Sequence, residues 1–300
     1  MKRNGPPIIF ALNGNQVFAE ELAAQLSAEV GIAETRSFPD GESYVRIKSD
    51  VRDKRAVLVC TLHEPNENIL PLCFFGKTVR DLGASSVCLV APYLAYMRQD
   101  KVFQPGEAVT SKYFAEVICS FADSIVTADP HLHRHDALSE IYPISNRTVH
   151  AAGHIADWIT KNVDLPVLVG PDAESEQWVS KVARKAGSPF TILEKVRRGD
   201  NDVEVSVPKI KEYRGHTPVL VDDIISTART MIETVGHLKH LEMKPPVCIG
   251  VHAVFAGNAY QDLLAAGVER IVTCNTIAHV TNKIDVSDLF ADFIGGLDEK

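Results

Sequence analysis

Thr217-Pro218-Val219-Leu220-Val221-Asp222-Asp223-Ile224-Ile225-Ser226-Thr227-Ala228-Arg229-Thr230-Met231 joins an apolar run to two carboxylates, a hydroxyl-rich turn and a helix-forming segment. A β-branched run that ends in acids and leads into a helix is the βα step of a parallel α/β fold, and open α/β folds bind ligands at the carboxyl ends of their strands. Asp222 and Asp223 suit the vicinal hydroxyls of a sugar. Ser226, Thr227 and Thr230, with the unpaired N–H groups of a helix start, suit a terminal phosphate, so the spacing fits ribose 5-phosphate. The alternative is that Ser226 or Thr227 is simply a helix N-cap.

Composition narrows the function classes around that run. With 300 residues, 45% hydrophobic and 23% charged, the chain has the size of about two soluble domains. A formal charge of −8 argues against a broad nucleic-acid-binding face. Met1-Lys2-Arg3 could open a signal peptide, but the apolar run 8–12 is too short and is followed by Asn13-Gly14-Asn15. No segment reaches membrane-spanning length, so no membrane partner is expected. The six cysteines form no CxxC pair, and four of them sit in strand-like runs, which points to free thiols in a reducing, cytoplasmic compartment.

Short β-branched runs alternate with amphipathic stretches along the whole chain, predicting parallel sheets flanked by helices. In the first half, strands are expected at 7–12, 56–61, 87–92 and 124–128, with helices near 17–28, 68–82 and 111–121. In the second, strands are expected at 167–171, 190–193, 203–207, 219–222, 247–254 and 270–273, with helices near 151–162, 176–186, 227–240 and 259–266. A divide near 145–149 predicts two similar domains, 1–147 and 148–300.

Four further clusters fall at strand ends or loops, where function concentrates. Around Pro39-Asp40-Gly41, either a plain hairpin turn forms, or Phe38 packs on a planar base while Asp40 or Glu42 accepts from an exocyclic amine. After the strand at 87–92, Arg98 could clamp a polyphosphate and Gln99 could contact a base, with a surface pair of Arg98 and Asp100 as the alternative. His131, His133 and His135 alternate and would face one way if extended, as a transition-metal site requires, but few supporting ligands occur elsewhere. Asp172 ends another strand and could hold magnesium or an anomeric hydroxyl. Lys195, Arg197 and Arg198 follow it, either as a lid that closes over phosphates or as a solvated basic turn.

Taken in order, Phe-Pro-Asp-Gly-Glu at 38–42, Pro-Tyr-x-x-Tyr-x-Arg-Gln-Asp at 92–100, Asp-x-His at 129–131, Pro-Asp-Ala at 171–173, Lys-x-Arg at 195–197 and Val-Asp-Asp-Ile-Ile-x-Thr at 221–227 resemble the ribose-phosphate pyrophosphokinases. The resemblance runs from about residue 8 to 280 and takes in 254–259 and 273–276. It implies two phosphoribosyltransferase-type domains, the first on the nucleotide side and the second on the ribose 5-phosphate side. It implies transfer of the diphosphoryl group of ATP to the anomeric hydroxyl of ribose 5-phosphate, with Mg²⁺ as cofactor. By position, Phe38, Asp40, Glu42, Arg98, Gln99 and Asp100 match ATP contacts, the loop of Phe38–Glu42 reaching a neighbouring subunit of a dimer or a multiple of dimers. His131 and Asp172 match magnesium-associated positions, Lys195 and Arg197 the catalytic loop, with His131 also on the catalytic side. Asp222, Asp223, Ser226, Thr227, Ala228, Arg229 and Thr230 match the ribose-phosphate loop.

Two places depart from the family pattern. Ala228-Arg229 stands where most members carry a small pair ending in glycine, so either the backbone differs or Arg229 joins the phosphate site. Glu174-Ser175 stands where Gly-Gly is usual, adding a carboxylate that a diphosphate tolerates only if a cation screens it. Two other readings therefore stay beside the synthetase. One is a non-catalytic, nucleotide-binding or regulatory relative. The other is a phosphoribosyltransferase that consumes phosphoribosyl diphosphate, which would leave the clusters at 38–42 and 98–100 without a role.

Overall fold

The computed structural model describes residues 6–132, 134–170, 175–197, 203–206 and 210–297. It divides into two compact units. The first takes the chain up to His150, Thr276–Ala278 and the segment from Ser287 onward; the second takes Ala151–Asn275 and His279–Val286.

In the first unit the chain runs β1 (Pro7–Ala11), α1 (Gln16–Leu26), β2 (Glu29–Val30), β3 (Ala33–Ser37), β4 (Ser43–Ile47), β5 (Arg55–Val59), α2 (Pro65–Asp81), β6 (Ser86–Ala91), α3 (Thr110–Cys119), β7 (Ser124–Ala128) and β8 (Ser145–Val149). Its six-stranded sheet has the order β2-β1-β5-β6-β7-β8, every neighbour parallel. All five residues of β5 are buried, as expected for a central parallel strand covered on both faces. Phe10 of β1 meets Phe75 of α2 edge-on at 5.1 Å, and Phe114, Ile118 and Phe121 close the same core. The C-terminal helix Ser287–Gly296 also belongs here, setting Phe290 against Phe18 of α1 at 5.3 Å.

The second unit runs α4 (Ala152–Asn162), β9 (Pro166–Gly170), α5 (Glu176–Ala186), β10 (Phe190–Ile192), β11 (Glu194–Arg197), β12 (Val203–Ser206), β13 (Thr217–Ile225), α6 (Arg229–His240), β14 (Val247–Ala253), α7 (Ala259–Ala265), β15 (Arg270–Cys274) and β16 (Asn282–Ile284). Its sheet order is β10-β9-β13-β14-β15-β16, again parallel throughout. The two orders are one pattern written twice. In each unit an antiparallel ribbon, β3–β4 or β11–β12, leaves the sheet between its second and third strands in chain order. The alternating rhythm of the sequence thus becomes two similar α/β units, as its reading predicted.

The cysteines behave as the sequence suggested: all six are free. Burial holds the thiols of Cys60 and Cys88 protonated by pushing their pKa values up to about 12 and about 11. Among the described residues no helix is long and apolar enough to cross a membrane.

β13 departs most usefully from expectation. It runs for nine residues, beyond the carboxylates that read as its end, because the ladder with β14 continues through Asp222↔Gly250, Ile224↔His252 and Ile225↔Ala253. The following helix starts two residues later than expected, because Ala228 is left-handed at φ 55°, ψ 8° and occupies its N-cap. Gly250 makes room for the strand end: a Cβ there would lie 2.6 Å from Cγ1 of Ile225. Gly250→Ala is therefore expected to lower the stability of the second unit by about 1–3 kcal/mol through forced repacking of Ile225. Ala228→Gly, by relieving the left-handed backbone, is expected to raise it by up to about 1 kcal/mol. Urea denaturation midpoints check both, and an unchanged midpoint in Gly250→Ala would refute the packing argument.

Candidate active site

The ribose-phosphate candidates are brought together at the carboxyl end of β13. Burial is complete through Val221 and opens at Asp222, Asp223 and Ile224, which are half-buried. The N–H of Asp223 donates to a carboxylate oxygen of Asp222 at 2.9 Å, fixing one acid against its own backbone. Beyond Ile225 the chain turns through half-buried Ser226 and exposed Thr227, then enters α6 at exposed Arg229 and half-buried Thr230. The carbonyls of Ile225 and Ser226 accept the N–H groups of Phe255 and Ala256 at 2.8 and 3.0 Å, pinning the turn to the segment after β14. Because Ala228 is the N-cap and makes no side-chain cap bond, neither Ser226 nor Thr227 caps this helix. The first-turn amides of α6 have no intrahelical acceptors, and Ser226, Thr227, Arg229 and Thr230 flank them in sequence, a combination of groups that can receive a phosphate.

On the first unit, 38–42 forms the tip of the antiparallel β3–β4 hairpin. Phe38 N–H donates to the Glu42 carbonyl at 2.7 Å, and Gly41 takes the left-handed turn conformation at φ 91°. The Asp40 carboxylate accepts the Glu42 N–H at 3.2 Å, and Asp40 and Glu42 stay exposed. Phe38 is 39% exposed at this tip. The guanidinium of Arg36 lies 4.5 Å from the Phe38 ring and 4.4 Å from that of Tyr44, bracing Phe38 from one side. Arg36 was missed in the sequence, although it stands only two residues before Phe38, near the end of β3.

After β6, Arg98 is exposed and the backbone carbonyl of Gln99 accepts the N–H of Ser111 at 3.3 Å, while its side-chain oxygen lies 3.2 Å from the Thr110 hydroxyl. Asp100 points inward: its side chain is 1% exposed and one carboxylate oxygen accepts from Arg134 at 2.8 Å. The guanidinium of Arg134 also sits 5.1 Å from the ring of Phe103. Arg134 therefore ties the loop of Arg98–Asp100 to the segment that carries His131. Sequence reading missed this link because nothing local pairs residues 100 and 134.

At the end of β7, Asp129 is buried and its carboxylate accepts from the His150 ring at 2.7 Å, next to half-buried His131. His135 is engaged by Glu140 at 2.8 Å, a contact that holds the exposed Glu140 carboxyl below its ordinary pKa. His133, Asp172, Glu174 and Arg198 lie outside the described residues. Lys195 and Arg197 belong to β11, where their backbones pair with Val205 and Val203 of β12.

Comparison with known proteins covers both units. A family model described as the N-terminal domain of ribose phosphate pyrophosphokinase matches residues 7–121, and a phosphoribosyl transferase domain model matches 138–290. A ribose-phosphate pyrophosphokinase of Methanothermobacter thermautotrophicus is 33% identical over 95% of this chain and 99% of its own. Ribose-phosphate pyrophosphokinase 2 of Archaeoglobus fulgidus is 36% identical over 93% of this chain and 96% of its own. The crystal structure of a phosphoribosylpyrophosphate synthetase from Mycobacterium smegmatis shares the fold, with a TM-score of 0.85 at 23% identity, covering 98% of this chain and 99% of that one. With both halves matched in order and relatives above 30% identity along almost its whole length, this chain belongs to the ribose-phosphate pyrophosphokinase family.

Proposed function

We propose that this protein transfers the diphosphoryl group of ATP to the anomeric hydroxyl of ribose 5-phosphate, releasing AMP and supplying activated ribose for nucleotide biosynthesis. The observation that carries this reading is likeness along nearly the whole chain to proteins named for that activity. A transferase that only consumes phosphoribosyl diphosphate needs no N-terminal half of this family's kind.

In the reaction the anomeric oxygen attacks the β-phosphorus. A new phosphorus–oxygen bond forms there as the one to the α,β-bridging oxygen breaks, the hydroxyl proton is lost, and AMP leaves. No protein nucleophile is required. Charge builds on the phosphoryl oxygens, so catalysis rests on positioning and electrostatic stabilisation, and alignment of two bound substrates is worth on the order of 7–11 kcal/mol. Asp222 and Asp223 hold the ribose hydroxyls, while Ser226, Thr227, Ala228, Arg229 and Thr230 surround its phosphate through hydroxyls, amides and one guanidinium. Phe38, Asp40 and Glu42 meet the adenine, Arg98 and Gln99 the nucleotide, and Asp100 serves the same site through Arg134. Lys195, Arg197 and His131 stabilise the transferred group.

Magnesium fits as an ion carried by the polyphosphate, which it would neutralise. Among the described residues no group of three or more His, Cys, Asp or Glu is placed to cage a metal, and magnesium commonly takes one or two protein ligands beside phosphate and water. His131 and Asp172 are the ligands we assign. We assign residues 1–147 to the nucleotide side and 148–300 to the ribose side, save that the helix Ser287–Gly296 packs within the first unit, and place the protein in the cytoplasm. The exposed hairpin tip at Phe38–Glu42 favours a homo-oligomer, a dimer or a multiple of dimers, in which it reaches a neighbouring subunit; a monomer in sedimentation velocity would sink that assignment.

Incubation with ATP, Mg²⁺ and ribose 5-phosphate is expected to release AMP only when all three are present, and Lys195→Ala is expected to lower kcat by about 10²-fold or more. Release of no AMP by the wild type would favour the non-catalytic reading, and an unchanged rate in the variant would remove Lys195 from the mechanism. Arg229→Ala is expected to raise KM for ribose 5-phosphate about tenfold, through loss of one charge-assisted hydrogen bond, with KM for ATP unmoved. Steady-state kinetics with each substrate varied in turn decides this.

A further inference from the structure

The ribose-phosphate loop is held from behind by residues whose placement is unusual. After β14 ends at Ala253, Phe255 adopts φ 39°. Left-handed backbone is strained for a bulky aromatic residue and persists only where surrounding contacts over-determine it. From that conformation the N–H groups of Phe255 and Ala256 reach the carbonyls of Ile225 and Ser226 at 2.8 and 3.0 Å.

Side chains fix this segment from the far side. The Phe255 ring lies 4.6 Å from the His279 ring and 5.5 Å from Tyr260 of α7, and Tyr260 lies 5.0 Å from His279, so the three rings form a closed cluster. His279 is itself anchored. Its N–H donates to the Asn282 side-chain oxygen at 2.8 Å, which sets that amide so that its NH₂ donates to the Thr273 hydroxyl at 2.9 Å and to the Cys274 carbonyl at 2.8 Å.

The hydrogen bonds then run one way. Because the Thr281 N–H donates to Nδ1 of His279, that nitrogen is an acceptor, so the Thr281 hydroxyl donates to it at 2.8 Å and itself accepts from the Thr273 hydroxyl at 2.8 Å. The Thr281 N–H approaches the same nitrogen at 3.3 Å. Nδ1 is thus an acceptor and the imidazole is neutral, in agreement with burial, which lowers its pKa. Thr273 and Thr281 are buried, so water does not compete for these bonds.

We propose that His279 is a positioning residue for ribose 5-phosphate, acting through Phe255 on the backbone of Ile225 and Ser226. This rests on the reading of residues 222–230 as the ribose-phosphate loop. His279 touches neither sugar nor phosphate in this scheme; it keeps Phe255 in its strained conformation, and with it the turn that offers the phosphate contacts.

The test is titration calorimetry with ribose 5-phosphate, alongside AMP-release kinetics, on wild type, His279→Ala and Tyr260→Leu. His279→Ala is expected to raise Kd and KM for ribose 5-phosphate about fivefold while kcat and KM for ATP stay within about twofold. Tyr260→Leu removes part of the ring cluster and keeps the hydrogen-bonded chain, and is expected to raise the same two constants about twofold to threefold. It stands as the deciding variant if His279→Ala does not fold. Unchanged ribose 5-phosphate affinity in the folded variants, or parallel losses in both substrates, would overturn the proposal. A wild type that binds ribose 5-phosphate without releasing AMP would overturn the reaction and leave the calorimetric comparison to decide the role of His279. A wild type that does not bind ribose 5-phosphate would overturn both.

Discussion

Ile225 approaches residue 250 so closely that no side chain fits between them, and the carboxyl end of β13 is arranged around that contact. Across the parallel ladder Gly250 lies opposite Asp222, so β13 and β14 stay in register past the carboxylates. Asp222 and Asp223 are consequently part of a strand that β14 still pairs, instead of hanging from a loose end, and the turn after Ile225 leaves from a fixed point. The carbonyls of Ile225 and Ser226, each bonded to the segment after β14, transmit that fixity to the helix start. Preorganisation of this kind suits a site whose chemistry is mainly alignment.

The repeated strand order carries two different loops on one architecture. In both units the third sheet strand in chain order leads through a left-handed N-cap into a helix: Ala228 before α6, at φ 55°, and Glu64 before α2, at φ 52°. The backbone route is the same but the side chains differ. The second unit offers Asp222-Asp223 and three hydroxyl residues in that stretch, whereas the first offers Cys60-Thr61-Leu62-His63-Glu64. There Thr61 is buried, with its hydroxyl 2.8 Å from both the Asn15 side-chain oxygen and the Thr276 carbonyl, and so is committed to the fold. Only the second unit's copy of the loop carries a carboxylate pair together with three hydroxyl residues.

What the sequence made legible follows from the range of the interactions involved. Strands such as Ser124–Ala128 and helices such as Glu176–Ala186 announce themselves because apolar spacing is local. The β3–β4 hairpin did not, beyond its turn: Ala33-Glu34-Thr35-Arg36-Ser37 is largely polar on both faces, so no alternating apolar signal exists. The extra length of β13 was hidden because two acids look like a strand end, while the ladder that extends them is supplied by β14, some 25 residues away. Asp100 reads in sequence as a nucleotide contact or as one half of a surface pair with Arg98, and its inward turn toward Arg134 depends on a partner remote in sequence. The Phe255, Tyr260 and His279 cluster is of the same kind, three rings from three separate segments.

Arg229 is where sequence and structure together say more than either alone. Read against its family, an arginine in place of glycine suggests a residue forced into an unfavourable backbone conformation. The left-handed residue is instead Ala228, and Arg229 is the first residue of α6, where an ordinary side chain fits. The difficulty is therefore electrostatic and not steric. A cation in the first turn sits at the positive end of the helix dipole, which disfavours it by roughly 0.3–1 kcal/mol, and no acidic residue stands in that turn to compensate. The opposite end follows the usual rule, with His237, Lys239 and His240 in the last turn. A cation kept at the wrong end of one helix, with no acid in its turn to compensate it, fits the role proposed for Arg229, binding the 5-phosphate of the sugar that we assign to Asp222 and Asp223.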